Sequence, residues 1–481
     1  MNYEDRPLVH ALEKFCQQRH VSFHVPGHKH GSLSGLPHEL RQALAYDVTE
    51  LTGLDDLHEP QEVIQQAQLK LAELYGSNKS FFLVNGSTVG NLAMLYATVR
   101  HGDTVLVQRN AHKSVFHALE LTGARPIFLT PQWDESTQTA GHVTLESVKL
   151  ALLQPTNVKA VVLTNPTYYG MANKELKEII AYCHAQEIPV LVDEAHGAHF
   201  IVDESFPESA LQLGADIVVQ SAHKTLPAMT MGSFLHVHSD FVSTERVAHY
   251  LHMLQSSSPS YVVMASLDDA RQYVESYTKE DTAYFQVYRK RLLQGLRSIP
   301  TIRVVEVDDA LKLLVRVEGH TGFSLQEALE SQGIYTELAD LYQVLWVLPL
   351  VKNGYTDNQI DIIEKCRTAV DSLNQSESIV VPSNIFMPLL SVSTVVYLPN
   401  QLVGMKSEWK HIDEATGCIA AEAIVPYPPG IPLLCAGERV SQEHISQLGA
   451  LLIAGSHFQG AINRKTSQIK VVVEENRGRL L

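Results

Sequence analysis

Between residues 80 and 240 the chain repeatedly alternates a short, almost wholly apolar run with a stretch of helical periodicity. The runs are SFFLVNG, DTVLVQRN, RPIFLTP, VKAVVLTNP, IPVLVDEA, ADIVVQSAHK and GSFLHVH. Val, Ile, Leu and Phe in unbroken succession suit a strand covered on both faces, and the intervening helical patterns, ~10–15 residues each, are long enough to cross over between parallel strands. The pattern commits this region to the α/β class, with a mostly parallel seven-stranded sheet between helical layers. Each run closes on polar residues, among them Asn85, Arg109, Thr130, Asn165, Asp193 and Ser221. In open α/β sheets ligands gather beyond the carboxyl ends of the strands, so these ends are expected to converge on one site.

The rest of the chain organises around that region. Residues 1–75 read as an N-terminal arm with helices, and 76–295 as the site-bearing large domain. From about 240 to 295 the pattern turns helical (TERVAHYLHML, YFQVYRKRLLQGL), as for a long helix leaving the domain. Residues 296–376 read as strand, strand, helix, strand, helix, a small α+β domain. The polar stretch NQSESIVVPSN then separates a C-terminal domain, 377–481, with strands and helices of its own. With 481 residues, 45% of them hydrophobic, the chain can bury more than one core.

Charge and cysteine usage narrow the function. Lys and Arg total 37 against 53 Asp and Glu, a formal net charge of -16, so the molecule repels nucleic-acid phosphate and anionic membrane. It accommodates a small cationic substrate without requiring one, since acidity for solubility gives the same balance. The five cysteines, Cys16, Cys183, Cys366, Cys418 and Cys435, include no CxxC pair, which fits a reducing compartment rather than a disulfide framework or a zinc cluster. MNYEDRPLVHALEKF lacks the apolar core of a leader and no window is apolar enough for a membrane span, so a cytoplasmic protein is expected.

Three segments carry chemistry. FFLVNGST runs from a strand through a glycine turn into a helix, where unpaired N–H groups with Ser87 and Thr88 suit a phosphate monoester; capping alone explains the same residues. IPVLVDEAHGAH puts Asp193 at the end of a buried strand, where a carboxylate needs a cation or strong donors. Asp193, His196 and His199 lack the i, i+4 histidine spacing of a helical zinc motif, so no metal is expected. DIVVQSAHKTLP places Lys224 just past another strand, beside Ser221 and His223, where desolvation lowers an amine into the range Schiff-base chemistry needs. Phosphate site, strand-end aspartate and strand-end lysine together describe a pocket for pyridoxal 5'-phosphate (PLP). The lysine would hold the cofactor and the aspartate would keep the pyridine nitrogen protonated, making the ring an electron sink.

These segments, with HVPGHKHG, DVTELTGLDDLHEP, RNAHKS, SSSPSY and PYPPGIPLLCAGE, fall in the order of the Orn/Lys/Arg decarboxylase family of fold-type I PLP enzymes, which the chain resembles over nearly its whole length. The resemblance implies a fold-type I large domain, a small α+β domain and a C-terminal domain, in the short form without a response-regulator-like wing. It implies that Lys224 holds PLP, Asp193 pairs with the ring nitrogen, His196 lies near the ring hydroxyl and His112 stacks on the ring. Ser87, Thr88, Ser221 and His223 would bind phosphate. HVPGHKHG would be the family's N-terminal arm, at the site mouth or a subunit interface, with no metal. Two loop positions depart from the family: Ala436 stands where proline is frequent, and HEPQEV lacks a glycine.

The activity implied is decarboxylation of a basic L-amino acid, arginine to agmatine and CO2 first, as in polyamine biosynthesis, with lysine or ornithine as the alternative. His223, Lys224 and Cys418 are the candidate proton donors at Cα. Asp55, Asp56, Glu59 and Glu438 are candidates to face a substrate cation or to hold loops together. A homodimer or higher even oligomer is expected, with SSSPSY reaching the neighbour's cofactor. An aminotransferase reading would need a carboxylate clamp, for which Arg316 is the candidate, and a non-catalytic regulator on the same fold would not need Lys224, Asp193 and His196 intact.

Overall fold

A computed structural model describes residues 5–18, 20–373, 391–427, 430, 432–453 and 457–474. The polar stretch expected to precede the C-terminal domain, and Pro428, Pro429 and Ile431 of the PYPPGIP segment, lie outside the described residues. All seven apolar runs form strands: β1 (Lys79–Leu83), β2 (Thr104–Gln108), β3 (Arg125–Leu129), β4 (Val158–Thr164), β5 (Val190–Asp193), β6 (Ile217–Gln220) and β7 (Ser233–Val237). The chain divides into two compact units, Met1–Thr98 with Ile180–Thr282, and Val99–Ile179 with Ala283–Leu481.

In the first unit the strand order is β1-β7-β6-β5, with β5 parallel to β6 and β7 antiparallel to both its neighbours. Register sorts the side chains onto two faces, because successive residues of a strand point oppositely. Leu83, Ser233, Leu235, Val219 and Asp193 share one face. The helix Gly86–Thr98 covers it, closely enough that a Cβ at Gly90 would come within 2.8 Å of Leu83 and Val219. Ser80, Phe82, Phe234, His236, Val218 and Gln220 share the other face. There Tyr75, at the end of the helix Val63–Tyr75, stacks on His236 with ring centroids 4.5 Å apart. Both faces are thus buried, as the continuous apolar runs required.

The second unit carries β4, β2 and β3 side by side, all parallel, and a short eighth strand, Val392–Thr394, antiparallel to β3. A separate antiparallel sheet of Ile302–Glu306, Lys312–Val317, Val344–Val347 and Leu338–Ala339 is accompanied by the helices Gly322–Ser331 and Gln359–Leu373. Toward the C-terminus, the helix Gln442–Ile453 and two small sheets close over a core that includes Ile424, Leu434, Leu448 and Ile469.

The long helix expected over 240–295 is instead three: Thr244–Leu254, Tyr261–Glu275 and Lys279–Arg297. The breaks follow local chemistry. Pro259 cannot continue a helix, and the Ser260 hydroxyl caps the next one by accepting the Val263 amide. Thr278 and Asp281 cap each other reciprocally at the second break. No helix among the described residues is long and apolar enough to cross a membrane.

Candidate active site

Asp193 ends β5 on the face covered by the helix Gly86–Thr98, and is 2% exposed. Asn91 of that helix donates from Nδ2 to Asp193 Oδ2 at 2.8 Å, and the Ala195 amide donates to Oδ1 at 3.2 Å. Both donors are neutral amides, and no cationic side chain among the described residues pairs with this buried carboxylate. Such a carboxylate suits a protonated ring nitrogen, whose charge offsets the cost of burying it.

Lys224 follows β6 in the single-turn helix Ala222–Thr225, and its Nζ lies 3.1 Å from Nε2 of the buried His196. Ser221 Oγ is 2.7 Å from Ser87 Oγ, which donates to Ser233 Oγ at 3.2 Å. Three hydroxyls thus gather at the first turn of the helix Gly86–Thr98, where N–H groups are unpaired by the helix itself. Gly86 makes the turn possible with φ +75°, a conformation that disfavours other residues, while its N–H donates to the Met231 carbonyl. Thr88 is exposed in the same turn. His223 points Nδ1 at the Gly232 carbonyl, 3.0 Å away, so that nitrogen carries the proton.

Amine, buried carboxylate and hydroxyl cluster therefore come from neighbouring strand ends of one unit, the set that PLP requires for its aldehyde, ring nitrogen and phosphate. Sequence reasoning missed Asn91, the aspartate's partner, and Ser233; their only signals were polar residues within otherwise apolar elements.

Other expected residues belong to other segments. His112 is in the second unit, exposed, where it caps the helix Lys113–Thr122 by accepting the Ser114 amide at Nδ1. Cys418, also there, takes a hydrogen bond from Lys410 Nζ at 3.6 Å. Arg316 is held by Gln343 Oε1, at 2.9 and 2.7 Å, and by the Ser136 carbonyl. Glu438 is already paired within the chain. Its two oxygens receive Nη1 and Nη2 of the buried Arg109, together with the Ser393 hydroxyl and the Cys435 amide. Burial raises its carboxyl, but the Arg109 charge and these bonds outweigh burial and hold it below the usual range.

Asp55 does not form a fork with Asp56 for a guanidinium either. Its oxygens accept the backbone amides of Asp56, Gln61, Glu62, Ile64 and Gln65, which outweigh burial and lower its carboxyl. Adjacent carboxylates point apart, and these amides have saturated one of them. The SSSPSY segment is tied within its own chain: the Ser256 amide donates to Asn85 Oδ1, and Tyr261 Oη donates to the Asp55 carbonyl. In HVPGHKHG, His28 pairs with Asp47 at 3.1 Å, and His24 and His30 meet edge to face at 5.4 Å. Among the described residues no group of three His, Cys, Asp or Glu side chains converges as a metal site.

A family model for the Orn/Lys/Arg decarboxylase major domain matches residues 6–297, and one for that family's C-terminal domain matches 394–462. The chain belongs to the Orn/Lys/Arg decarboxylase family. This decarboxylase therefore works with PLP, the cofactor of its family. It is 34% identical to an arginine decarboxylase of Bacillus subtilis (strain 168), with 99% of each chain covered. It is 46% identical to the uncharacterized protein YaaO of the same organism, covering 98% of this chain and 99% of that one. Its fold is similar to that of the Francisella novicida lysine decarboxylase LdcF, with TM-score 0.79 at 20% identity, covering 97% of this chain and 81% of that one.

Proposed function

We propose that this decarboxylase acts on arginine, releasing CO2 and agmatine, as a cytoplasmic step of polyamine biosynthesis. The observation that carries the reading is the meeting of Lys224 with His196, Asp193 with Asn91, and Ser87 with Ser221 at the ends of β5 and β6 and the start of one helix. For the substrate, support comes from arginine decarboxylases of Bacillus subtilis and Halalkalibacterium halodurans, 34% and 32% identical over at least 98% of either chain. The lysine decarboxylase LdcA of Pseudomonas aeruginosa is 25% identical, over 76% of its length.

In this reading Lys224 carries PLP, Asp193 holds the proton at the ring nitrogen, and His196 lies beside the ring hydroxyl. His112 covers the ring face, and Ser87, Thr88, Ser221 and His223 bind the phosphate. When bound, the cofactor supplies a protonated pyridine that accepts the electron pair left behind as CO2 departs. Asn91 orients Asp193 through the Nδ2 hydrogen bond. Its contact with the His196 imidazole holds Lys224 Nζ in place at the end of β6. Lys224 Nζ would return a proton to Cα; His223, whose Nδ1 is occupied by the Gly232 carbonyl, offers Nε2 as the alternative.

The same proposal includes a homodimer or higher even oligomer in which SSSPSY reaches the neighbouring site, and the division into 1–75, 76–295, 296–376 and 377–481. Parallel kcat/KM measurements with arginine, lysine and ornithine, following CO2, test the substrate. A higher value for lysine or ornithine overturns arginine; keto acid without CO2 supports an aminotransferase, and PLP binding without turnover a regulator. Borohydride reduction, then peptide mapping, should label Lys224.

A further inference from the structure

A line of side-chain hydrogen bonds crosses all four strands of the first unit, on the face opposite Asp193. Its members are Ser80 on β1, His236 on β7, Gln220 on β6 and Glu194, the residue after β5, each 0% exposed. Ser80 lies directly opposite His236 in the ladder, and Gln220 diagonally across from it. Ser80 Oγ is 2.7 Å from His236 Nδ1, His236 Nε2 is 3.2 Å from Gln220 Oε1, and Gln220 Nε2 is 2.6 Å from Glu194 Oε2. Glu194 also accepts the Ser209 hydroxyl at 2.7 Å and the Ala210 amide at 2.6 Å.

The direction of this line follows from its end. A carboxylate accepts, so the Gln220 amide nitrogen faces Glu194 and its carbonyl faces His236. His236 then carries its proton on Nε2 and accepts from Ser80 at Nδ1. Burial keeps that imidazole neutral, pushing its pKa down to about 3. Every donor in the line points toward Glu194, the one carboxylate in it.

Where Glu194 sits in the sequence gives the line its consequence. It lies between Asp193 and His196, and its partner Gln220 immediately precedes Ser221 and stands four residues before Lys224. The backbone after β5 wraps tightly on this side chain, so that a Cβ at Gly197 would come within 2.6 Å of Glu194 Cγ. The Glu194 amide also donates to the Val219 carbonyl of β6 at 2.9 Å, so backbone and side chain clasp the same two strand ends. Charge-assisted hydrogen bonds are the strong kind, and a buried network with its members paired rigidifies what it joins.

We propose that Glu194 is a positioning residue, whose carboxylate clasps the ends of β5 and β6 and so holds Asp193 and His196 in register with Ser221 and Lys224 for the cofactor. The proposal rests on the reading that Lys224 carries PLP. Its test is titration of the apo-enzyme with PLP, followed by absorbance, for the parent, Glu194→Gln and Ser209→Ala, with folding checked by circular dichroism. Glu194→Gln is expected to raise the Kd for PLP at least tenfold, to shift the pH profile of the bound cofactor's absorbance, and to lower kcat more than it changes KM. Ser209→Ala, which removes one donor and keeps the charge, should raise Kd about threefold. A purely structural role would lower the unfolding midpoint and leave Kd and the absorbance profile alone. Parent-like Kd and profile in folded Glu194→Gln overturn the proposal; should that variant not fold, a parent-like Kd in Ser209→Ala overturns it. A parent whose PLP maps to another lysine overturns the underlying reading instead.

Discussion

Replacing Glu438 by Gln should destabilise the second unit by about 3 kcal/mol, at the low end of the ~3–5 kcal/mol for breaking a buried ion pair. Arg109 and Glu438 are each about 2% exposed at the side chain, so neither charge can turn to water. Without the carboxylate, the Arg109 guanidinium keeps a neutral carboxamide oxygen, the Ser393 hydroxyl at 3.0 Å and three longer contacts, to the Pro432 and Leu433 carbonyls at 3.3 and 3.4 Å and to Cys435 Sγ at 3.6 Å. The near-isosteric Gln leaves no cavity, so the loss reports charge and hydrogen bonding rather than packing. Arg109→Met should cost a similar amount, because it leaves Glu438 with only Ser393 and Cys435 as donors. The double variant should then cost no more than either single one, a coupling of about 3 kcal/mol. All three tryptophans, Trp133, Trp346 and Trp409, belong to the second unit, so their fluorescence in a urea titration reads this unit. The pH dependence supplies a sign. Glu438 titrates lower in the folded than in the unfolded chain, so its contribution is complete above the ordinary carboxyl pKa of about 4.3 and is lost as pH falls through the folded value. The gap between parent and Glu438→Gln should therefore close below about pH 4. Additive single effects, or a gap that ignores pH, would refute the reasoning.

Asn91→Leu should lower kcat at least tenfold with little change in KM, since it removes the donor that orients Asp193; steady-state kinetics decide, and unchanged kcat counts against the role. Gly90→Ala should cost about 1–3 kcal/mol of stability through overpacking against Leu83 and Val219, read as a lower unfolding midpoint. His236 titrates near 3 when folded and near 6.5 when unfolded, so its neutral form stabilises above pH 6.5 and loses that contribution as pH falls. Between pH 6.5 and 5 the loss is about 2 kcal/mol, and His236→Gln should lack it; an unchanged pH dependence in that variant contradicts the assignment.

The strands were legible because their reasons are local. Seven unbroken apolar runs can be buried on both faces in few ways, and each became a strand. Val392–Thr394 was not legible: three residues without an apolar run gain their strand conformation from pairing with β3, far away in the chain. The breaks near Pro259 and Thr278 were written in the sequence as cap residues and were overrun by the helical periodicity on either side. In the candidate site, Lys224, Asp193 and Ser87 could be singled out because strand ends mark them. Asn91, Gln220 and His236 could not be assigned a role, since what each polar side chain does depends on a partner from another element. Asp55 and Glu438 show the converse: acidic residues in conspicuous motifs that backbone amides and an arginine had already claimed.

The order in which the first unit is made bears on how it is born. β1 pairs with β7, and the paired residues Leu83 and Ser233 are 150 positions apart, with β2, β3 and β4 of the other unit synthesised in between. At ribosomal speeds of ~5–20 residues per second, β1 waits roughly ten to thirty seconds for its partner. Through that interval Phe81, Phe82 and Leu83 have no strand against which to pair, and for nearly all of it Lys224, which we propose holds the cofactor, has yet to leave the ribosome. A nascent chain of this design therefore carries an unpaired apolar strand until residue 237 emerges.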